Sequence, residues 1–396
     1  MTTATLSDLV AGIQAEVVGY RRHLHRNPEL SFHEEKTAQY VYETLESFGG
    51  LQLLRPTENS VVARLVGERP GRTLAIRADM DALPIQEEND FEFASQNPGV
   101  MHACGHDGHT AMLLGTAKLL AGMKDRINGE VRFLFQHAEE LFPGGAEQMV
   151  EAGVMDGVDA VIGIHLWASL PVGKIGVAYG PMMAAPDTFE IRVKGSGGHA
   201  ALPQETVDAI AIGAQVVTNL QHVVSRETDP IDNVVLSVTK FSGGSAYNVI
   251  PGTVEMLGTV RTLDPEVREK VPEIMERVVK GITSAHGAEY EFEYQFGYRP
   301  LINDDEVTRA IEETVRETFG DEALEIMRPT MGGEDFSAFQ QKAPGAFFWV
   351  GAGNEERGIV HPHHHPLFTV DEDAFPYGIK AFVNATFKLL GETETV

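Results

Sequence analysis

Two short runs, VRFLF at 131–135 and VIGIHL at 161–166, are apolar at nearly every position. A strand with one wet face alternates apolar and polar residues, so runs that do not alternate belong to strands covered on both faces, as in a parallel sheet between helix layers. The flanking segments agree. Residues 61–66 and 73–78 read as further strands. Helical spacing lies between them: Leu6, Leu9, Val10, Ile13 and Val17 share one face of a helix that Asn27-Pro28 stops, a second helix covers about 37–48 and ends at Gly49-Gly50, and a third covers about 109–123. Strands alternating with helices predict an α/β layer architecture.

From about residue 186 to 298 the texture changes. Strand-like runs such as 188–193, 233–240 and 253–262 alternate with helical stretches near 206–224 and 265–286. The order strand, helix, strand, strand, helix, strand predicts an inserted α+β domain of the split βαβ, ferredoxin-like type, an open sheet with helices on one side. Residues 346–351 then read as another core strand and 374–390 as a closing helix. The expected division is therefore 1–185 and 299–396 for one domain and 186–298 for the insert, as suits a 396-residue chain at about 150 residues per domain.

A formal charge of −27 argues against nucleic acid or an anionic membrane surface as partner, because both require a basic patch, and leaves small molecules as the expected ligands. No run approaches the roughly 20 apolar residues that span a bilayer, and MTTATLSDLVAG has no basic start followed by an apolar run. With a single cysteine there is no intrachain disulfide, which fits a reducing, cytoplasmic setting and leaves Cys104 for reactivity, metal binding or packing.

Ten of the 15 histidines are in or near MHACGHDGH (101–109), FQHAEELFPGG (135–145), IHLW (164–167), VHPHHHPLF (360–368) and His199. Satisfied core histidines do not cluster in this way. In an extended loop the C-x-H spacing of Cys104 and His106 sends both side chains to one side, where they can offer two ligands to one cation. Glu139 and Glu140 follow the apolar 131–135 strand, at the kind of strand end where α/β sheets meet ligands; one carboxylate can bind metal while the other faces water. His165 lies within an apolar strand, where a lone histidine is more often a hydrogen-bonded core residue than a ligand. Among His361, His363, His364 and His365, composition makes no choice. Asp79 and Asp81 follow the 73–78 strand, where an Asp can orient a histidine ligand. The sequence has no phosphate-cradling loop, dinucleotide fingerprint or G-x-S-x-G elbow.

RADMDALP, HACGHDGH, QHAEE, GIHLW, GGHAALP, SGGSAYNVIP and HHPLFTVDE, in this order and spacing, resemble the metal-dependent amidohydrolases of the aminoacylase and carboxypeptidase G-like superfamily. The likeness is strongest to the subgroup of hippurate hydrolases, N-acetyl-amino-acid deacetylases and indole-acetyl-amino-acid hydrolases, and it spans essentially the whole chain. It implies that Cys104, His106, Glu140, His165 and His364 hold two divalent cations per subunit (Mn, Zn, Co or Ni), with Cys104 in the bridging position. It also implies that Glu139 is the catalytic base and that Asp81 orients a ligand. His199 falls in the inserted domain, which in that family pairs two subunits as a lid and dimerisation domain and can lend this histidine to the partner's site. Asn248 and Arg261 fall at substrate-contacting positions. His137 departs from the pattern, which usually has proline there. The implied activity is cleavage of N-acyl-amino acids to a carboxylic acid and an amino acid. The alternatives are an N-acetyl-diaminopimelate deacetylase, a non-catalytic metal-binding homologue, and a cysteine hydrolase that uses Cys104.

Overall fold

The computed structural model describes residues 5–391. The chain begins with α1 (Leu6–Arg26), α2 (Glu35–Phe48), β1 (Gln52–Leu54), β2 (Val61–Val66), β3 (Arg69–Asp79) and α3 (His106–Ala121). It continues through β4 (Asn128–Gln136), α4 (Gly145–Glu151), β5 (Ala160–Pro171), β6 (Ile175–Val177) and β7 (Gly180–Met183). Then come β8 (Ala185–Lys194), β9 (Gly198–His199), α5 (Ala209–His222), β10 (Val234–Ser242), β11 (Val249–Ile250), β12 (Thr253–Thr262), α6 (Pro265–Ala285) and β13 (Glu289–Gln295). The last stretch holds β14 (Leu301–Asn303), α7 (Asp305–Phe319), β15 (Leu324–Ile326), α8 (Ser337–Gln340), β16 (Gly345–Gly353) and α9 (Phe375–Leu389). Two compact units result. One comprises the residues through Gly180, 302–328 and those from Asp335 onward; the other comprises 181–301 and 329–334.

The first unit is built on an eight-stranded mixed sheet in the order β1-β2-β4-β3-β5-β16-β6-β15. Its centre, β4-β3-β5-β16, is parallel throughout. The apolar runs of β4 and β5 lie here, covered on both faces as their lack of alternation requires. Leu74, Ile76 and Ala78 of β3, with Ile162, Ile164 and Leu166 of β5, join the main core cluster beneath α1, α3 and α9. Between them Arg77 is fully buried and its guanidinium meets Gln136, Asp79 and Asp335. Almost every residue of α3 is buried, which marks a helix packed on all sides.

The second unit carries a four-stranded antiparallel sheet in the order β10-β12-β8-β13, and α5 and α6 share its core. This is the expected ferredoxin-like arrangement. Among the described residues no helix is long and apolar enough to cross a membrane.

Several element boundaries differ from expectation for local reasons. Helix α3 opens at His106, one residue from the opening near Asp107 that follows the C-x-H segment and ahead of the clear helical pattern from about 109, because Gly105 is left-handed (φ 100) and its carbonyl accepts the first-turn N–H groups of Gly108 and His109. That backbone turn also replaces the extended Cys104–His106 segment inferred from the C-x-H spacing. Helix α5 starts at Ala209 rather than near 206, since the Asp208 side chain accepts from the N–H groups of Ile210 and Ala211 and caps it there. Helix α7 was not anticipated, although Asp304 caps it and Val307, Ile311 and Val315 form its buried stripe.

Candidate metal centre

Three neighbouring parallel strands bring the candidate residues to one end of the sheet. Asp79 pairs with Gln136 in register, so the chain leaves β3 toward Asp81 and β4 toward Glu139 and Glu140 at the same level. Arg77 stands opposite Gly163, which puts His165, two residues on, beside that end. Cys104 and His106 come from the start of α3. His364 arrives from the loop before α9 and is tied to the Cys104 segment by its N–H, which donates to Ala103 O at 2.8 Å. His364 sits at φ 65, a conformation a non-glycine residue adopts only when its surroundings impose it.

The ligand atoms of Cys104, His106 and His165 all lie within 4.8 Å of one another, as do those of Cys104, Glu140 and His364, and those of His106, Glu139 and Glu140. Cys104 belongs to two of these groups. Its Sγ is 3.4 Å from His165 Nε2, and His364 Nε2 is 3.2 Å from Glu140 Oε1. The structure therefore gathers all five sequence-predicted ligands and Glu139.

The other ring nitrogens show which tautomers are present. His165 Nδ1 donates to Leu166 O at 2.7 Å, leaving the Nε2 lone pair toward Cys104. His106 Nδ1 donates to Asp81, 3.0 Å from its carbonyl and 3.2 Å from Oδ1, while the buried Nε2 has no hydrogen-bond partner. A buried nitrogen left bare among a thiol, an imidazole and a carboxylate fits a cation. Asp81 also accepts from Ser31 Oγ at 2.7 Å and from the Glu140 N–H at 3.0 Å, so one carboxylate positions two predicted ligands.

The electrostatics point the same way. Burial disfavours charge on His106, but Asp79, Asp81 and Glu140 outweigh it and push its pKa up to about 10. The site thus demands positive charge at this position. Burial, with Glu140 and Glu139 nearby, pushes the Cys104 thiol well above its ordinary value. A nucleophilic thiolate requires electropositive surroundings, which this cysteine lacks unless a cation supplies them. Burial holds His165 well below the usual imidazole value, reinforced by His109 and His363, so it is a neutral donor. The Glu140 hydrogen bond raises His364 against the effect of burial.

The neighbouring histidines are otherwise engaged. His363 Nε2 donates to Leu166 O at 2.9 Å, and burial brings its pKa down to about 4. His361 stacks on His365, whose Nδ1 accepts the Leu367 N–H. Asp79, His106 and His109 also come within ligand distance of one another. However, His109 Nδ1 binds Asp79 Oδ1 at 2.7 Å and its Nε2 accepts the Leu166 N–H at 2.8 Å, while Arg77 takes the second Asp79 oxygen at 2.6 Å. This set is a tie between α3, β3 and β5 beside His165. The motif alone gives His109 no role; its place one helical turn after His106 is the available signal. His137, the departure from the family pattern, bonds Gln148 Oε1 at 3.0 Å.

His199, Asn248 and Arg261 belong to the second unit. His199 and Asn248 are exposed neighbours, joined where the Ala200 N–H donates to Asn248 O at 3.1 Å beside the β9–β11 pair. Arg261 is on β12, and burial lowers its pKa against the pull of Asp187.

Comparison with known proteins places the chain among relatives of one family. Residues 75–388 match the model of peptidase family M20/M25/M40. An N-acyl-L-amino acid amidohydrolase of Geobacillus stearothermophilus is 69% identical over 306 residues, covering 77% of this chain and 83% of that protein. An N-acetylcysteine deacetylase of Bacillus subtilis is 43% identical, covering 92% and 94%. Among solved structures, the Bacillus subtilis YXEP protein, described as a dinuclear metal binding peptidase, is 38% identical with a TM-score of 0.85, covering 98% of this chain and all of that one.

Proposed function

The chain belongs to peptidase family M20/M25/M40, and from that premise we propose that it is a metal-dependent amidohydrolase cleaving N-acyl-amino acids to a carboxylic acid and a free amino acid. The observation that carries the proposal is Cys104, shared between the His106–His165 group and the Glu140–His364 group. One thiolate between two ligand pairs suits two divalent cations per subunit, and its mix of sulfur, nitrogen and oxygen donors admits Zn, Co, Ni or Mn. Cations held there supply Lewis-acid polarisation of the amide carbonyl and activation of water.

The chain's own residues do the rest. Glu139, nearly buried and within 4.8 Å of His106 and Glu140, takes a proton from the attacking water and returns it to the departing amine, the work of a general base and acid. Asp81 keeps His106 in the tautomer that leaves Nε2 open and fixes the backbone at Glu140. His199 stabilises negative charge that develops on the carbonyl oxygen, and Asn248 and Arg261 contact substrate; the motifs around these three residues support those roles. A homodimer or higher homo-oligomer formed through the second unit, lending His199 to a partner's site, and a cytoplasmic location complete the reading.

A hydrolysis panel of N-acetyl, N-benzoyl and indole-acetyl amino acids, with Mn, Co, Zn and Ni supplied separately, tests it. The expected result is activity that chelation abolishes and a divalent metal restores. Metal-loaded protein inactive across the panel would favour a binding protein, and activity that survives chelation would favour a cysteine hydrolase. Rapid release of acetate from N-acetyl-diaminopimelate alone would narrow the reading to that deacetylase.

A further inference from the structure

We infer that Glu34 is a positioning residue for the acid pair: its buried carboxyl holds Ala138 in the left-handed conformation that turns the chain out of β4 and aims Glu139 and Glu140 apart. The inference rests on the roles proposed above for those two acids. Glu34 is fully buried and precedes α2, yet its side chain does not cap that helix. Instead Oε1 accepts the Ala138 N–H at 2.7 Å and Oε2 faces Asn59 Nδ2 at 3.3 Å. Ala138 has φ 49, a region in which a Cβ crowds the following carbonyl. Its own carbonyl is held from the other side by the Gly145 N–H at 2.9 Å.

The loop that carries Glu34 grips the acid pair at a second point. Ser31 Oγ donates to Asp81 Oδ2, the oxygen that also accepts the Glu140 N–H. The amides of residues 138 and 140 are therefore both anchored, with Glu139 between them, and its peptide planes have little freedom to rotate. Phe32, in the same loop, is itself left-handed (φ 67) and sets its ring edge-on to His137 at 5.8 Å. Among the described residues only Phe32, Ala138 and His364 are non-glycine residues at positive φ, and all three adjoin this centre. Burial, with the Asp81 charge adding to it, pushes the Glu34 carboxyl up to about 8, so a neutral amide is a close substitute. A Gln oxygen accepts the Ala138 N–H, and its NH2 meets the Asn59 amide oxygen, which has no partner in its present orientation.

The test measures kcat, KM and bound metal at saturating Mn or Zn, on the N-acyl-amino acid hydrolysed fastest by the wild type. Glu34→Gln is expected to keep kcat within about threefold. Glu34→Ala is expected to lose roughly 10²-fold in kcat with KM little changed, the scale of effect when a catalytic group is misplaced by about 1 Å. Glycine adopts positive φ without help, so Ala138→Gly in the Glu34→Ala background should recover at least about tenfold, whereas a merely structural role for Glu34 predicts no recovery. Should Glu34→Ala not fold, Ala138→Val in the wild-type background supplies the perturbation and should lower kcat by at least about tenfold. Glu34→Gln as impaired as Glu34→Ala, no recovery in the folded double variant, or full activity in Glu34→Ala or Ala138→Val overturns the inference. Glu139→Gln, run alongside, separates the two levels: an active Glu139→Gln removes the base assignment, while an inactive one beside a fully active Glu34→Ala removes only the role of Glu34.

Discussion

Replacing Asp81 with Asn changes one atom and breaks the hold of this side chain on one of two proposed ligands. The carboxylate accepts three hydrogen bonds, from Ser31 Oγ and the Glu140 N–H on Oδ2 and from His106 Nδ1 on Oδ1. An amide has one oxygen, so either His106 Nδ1–H, or Ser31 and the Glu140 N–H together, must face an NH2 group. With the amide oxygen left on Ser31 and Glu140, His106 retains only the Asp81 carbonyl at 3.0 Å and is less firmly held in the tautomer with Nε2 open. Loss of one hydrogen bond to a charged group costs about 1.5–3 kcal/mol, and at about 1.4 kcal/mol per decade this weakens metal binding by roughly 10- to 100-fold. Competition against a chromophoric chelator measures the affinity directly, and circular dichroism confirms the fold. An Asp81→Asn variant with wild-type metal affinity would refute the view that this carboxylate works by orienting His106 and Glu140.

Within the clustered imidazoles, His364→Asn is expected to weaken metal binding by at least about tenfold, whereas His363→Asn, which loses a hydrogen bond to Leu166 O, costs about 1 kcal/mol of stability and leaves metal affinity within about threefold; metal titration and urea denaturation of both variants check this. In the second unit, Asp187 is fully buried and accepts from Arg268, Tyr294 Oη and the Gly297 N–H. Arg268→Met leaves that carboxylate without its cation and should destabilise this unit by about 3–5 kcal/mol, read by hydrogen exchange at its amides. Burial opposes charge on His25, but Asp107 and Glu87 outweigh burial and Arg21, so its folded pKa is raised above 6.5. The stability it contributes is therefore complete below about pH 6.5 and is lost as pH rises through the raised value. The stability difference between wild type and His25→Gln should shrink over that rise; a difference that grows with pH would contradict the pairing.

The parts of the fold legible in the sequence were those where one face or both had to be dry. Residues 61–66 and 253–262 are strands with the expected bounds, and the βαββαβ order of the second unit follows from its alternating patterns. The short strands β1, β6 and β15 have three residues each, too few to show a period, and depend on their neighbours in the sheet. Helix α7 was legible in retrospect, with Asp304 before it and Gly320 after it. At the centre, the clustering of Cys104, His106 and the two glutamates was visible, but the choice among His361, His363, His364 and His365 was not, because one backbone turn at φ 65 separates the imidazole beside Glu140 from its neighbours. His165 satisfies both of its readings: one nitrogen bonds the backbone and the other faces Cys104. Ser31, Glu34 and His109 act through backbone amides and carboxylates distant in sequence, contacts for which no local spacing exists.

The division of labour between Glu139 and Glu140 is tested most directly by Glu139→Gln, with metal per chain and kcat measured on the same sample. The expected result is two metal ions per chain, as in the wild type, with kcat lower by roughly 10²- to 10⁴-fold, the range that general acid–base catalysis contributes. Wild-type turnover, or loss of metal along with activity, would contradict the assignment of Glu139 as the base beside a metal-binding Glu140.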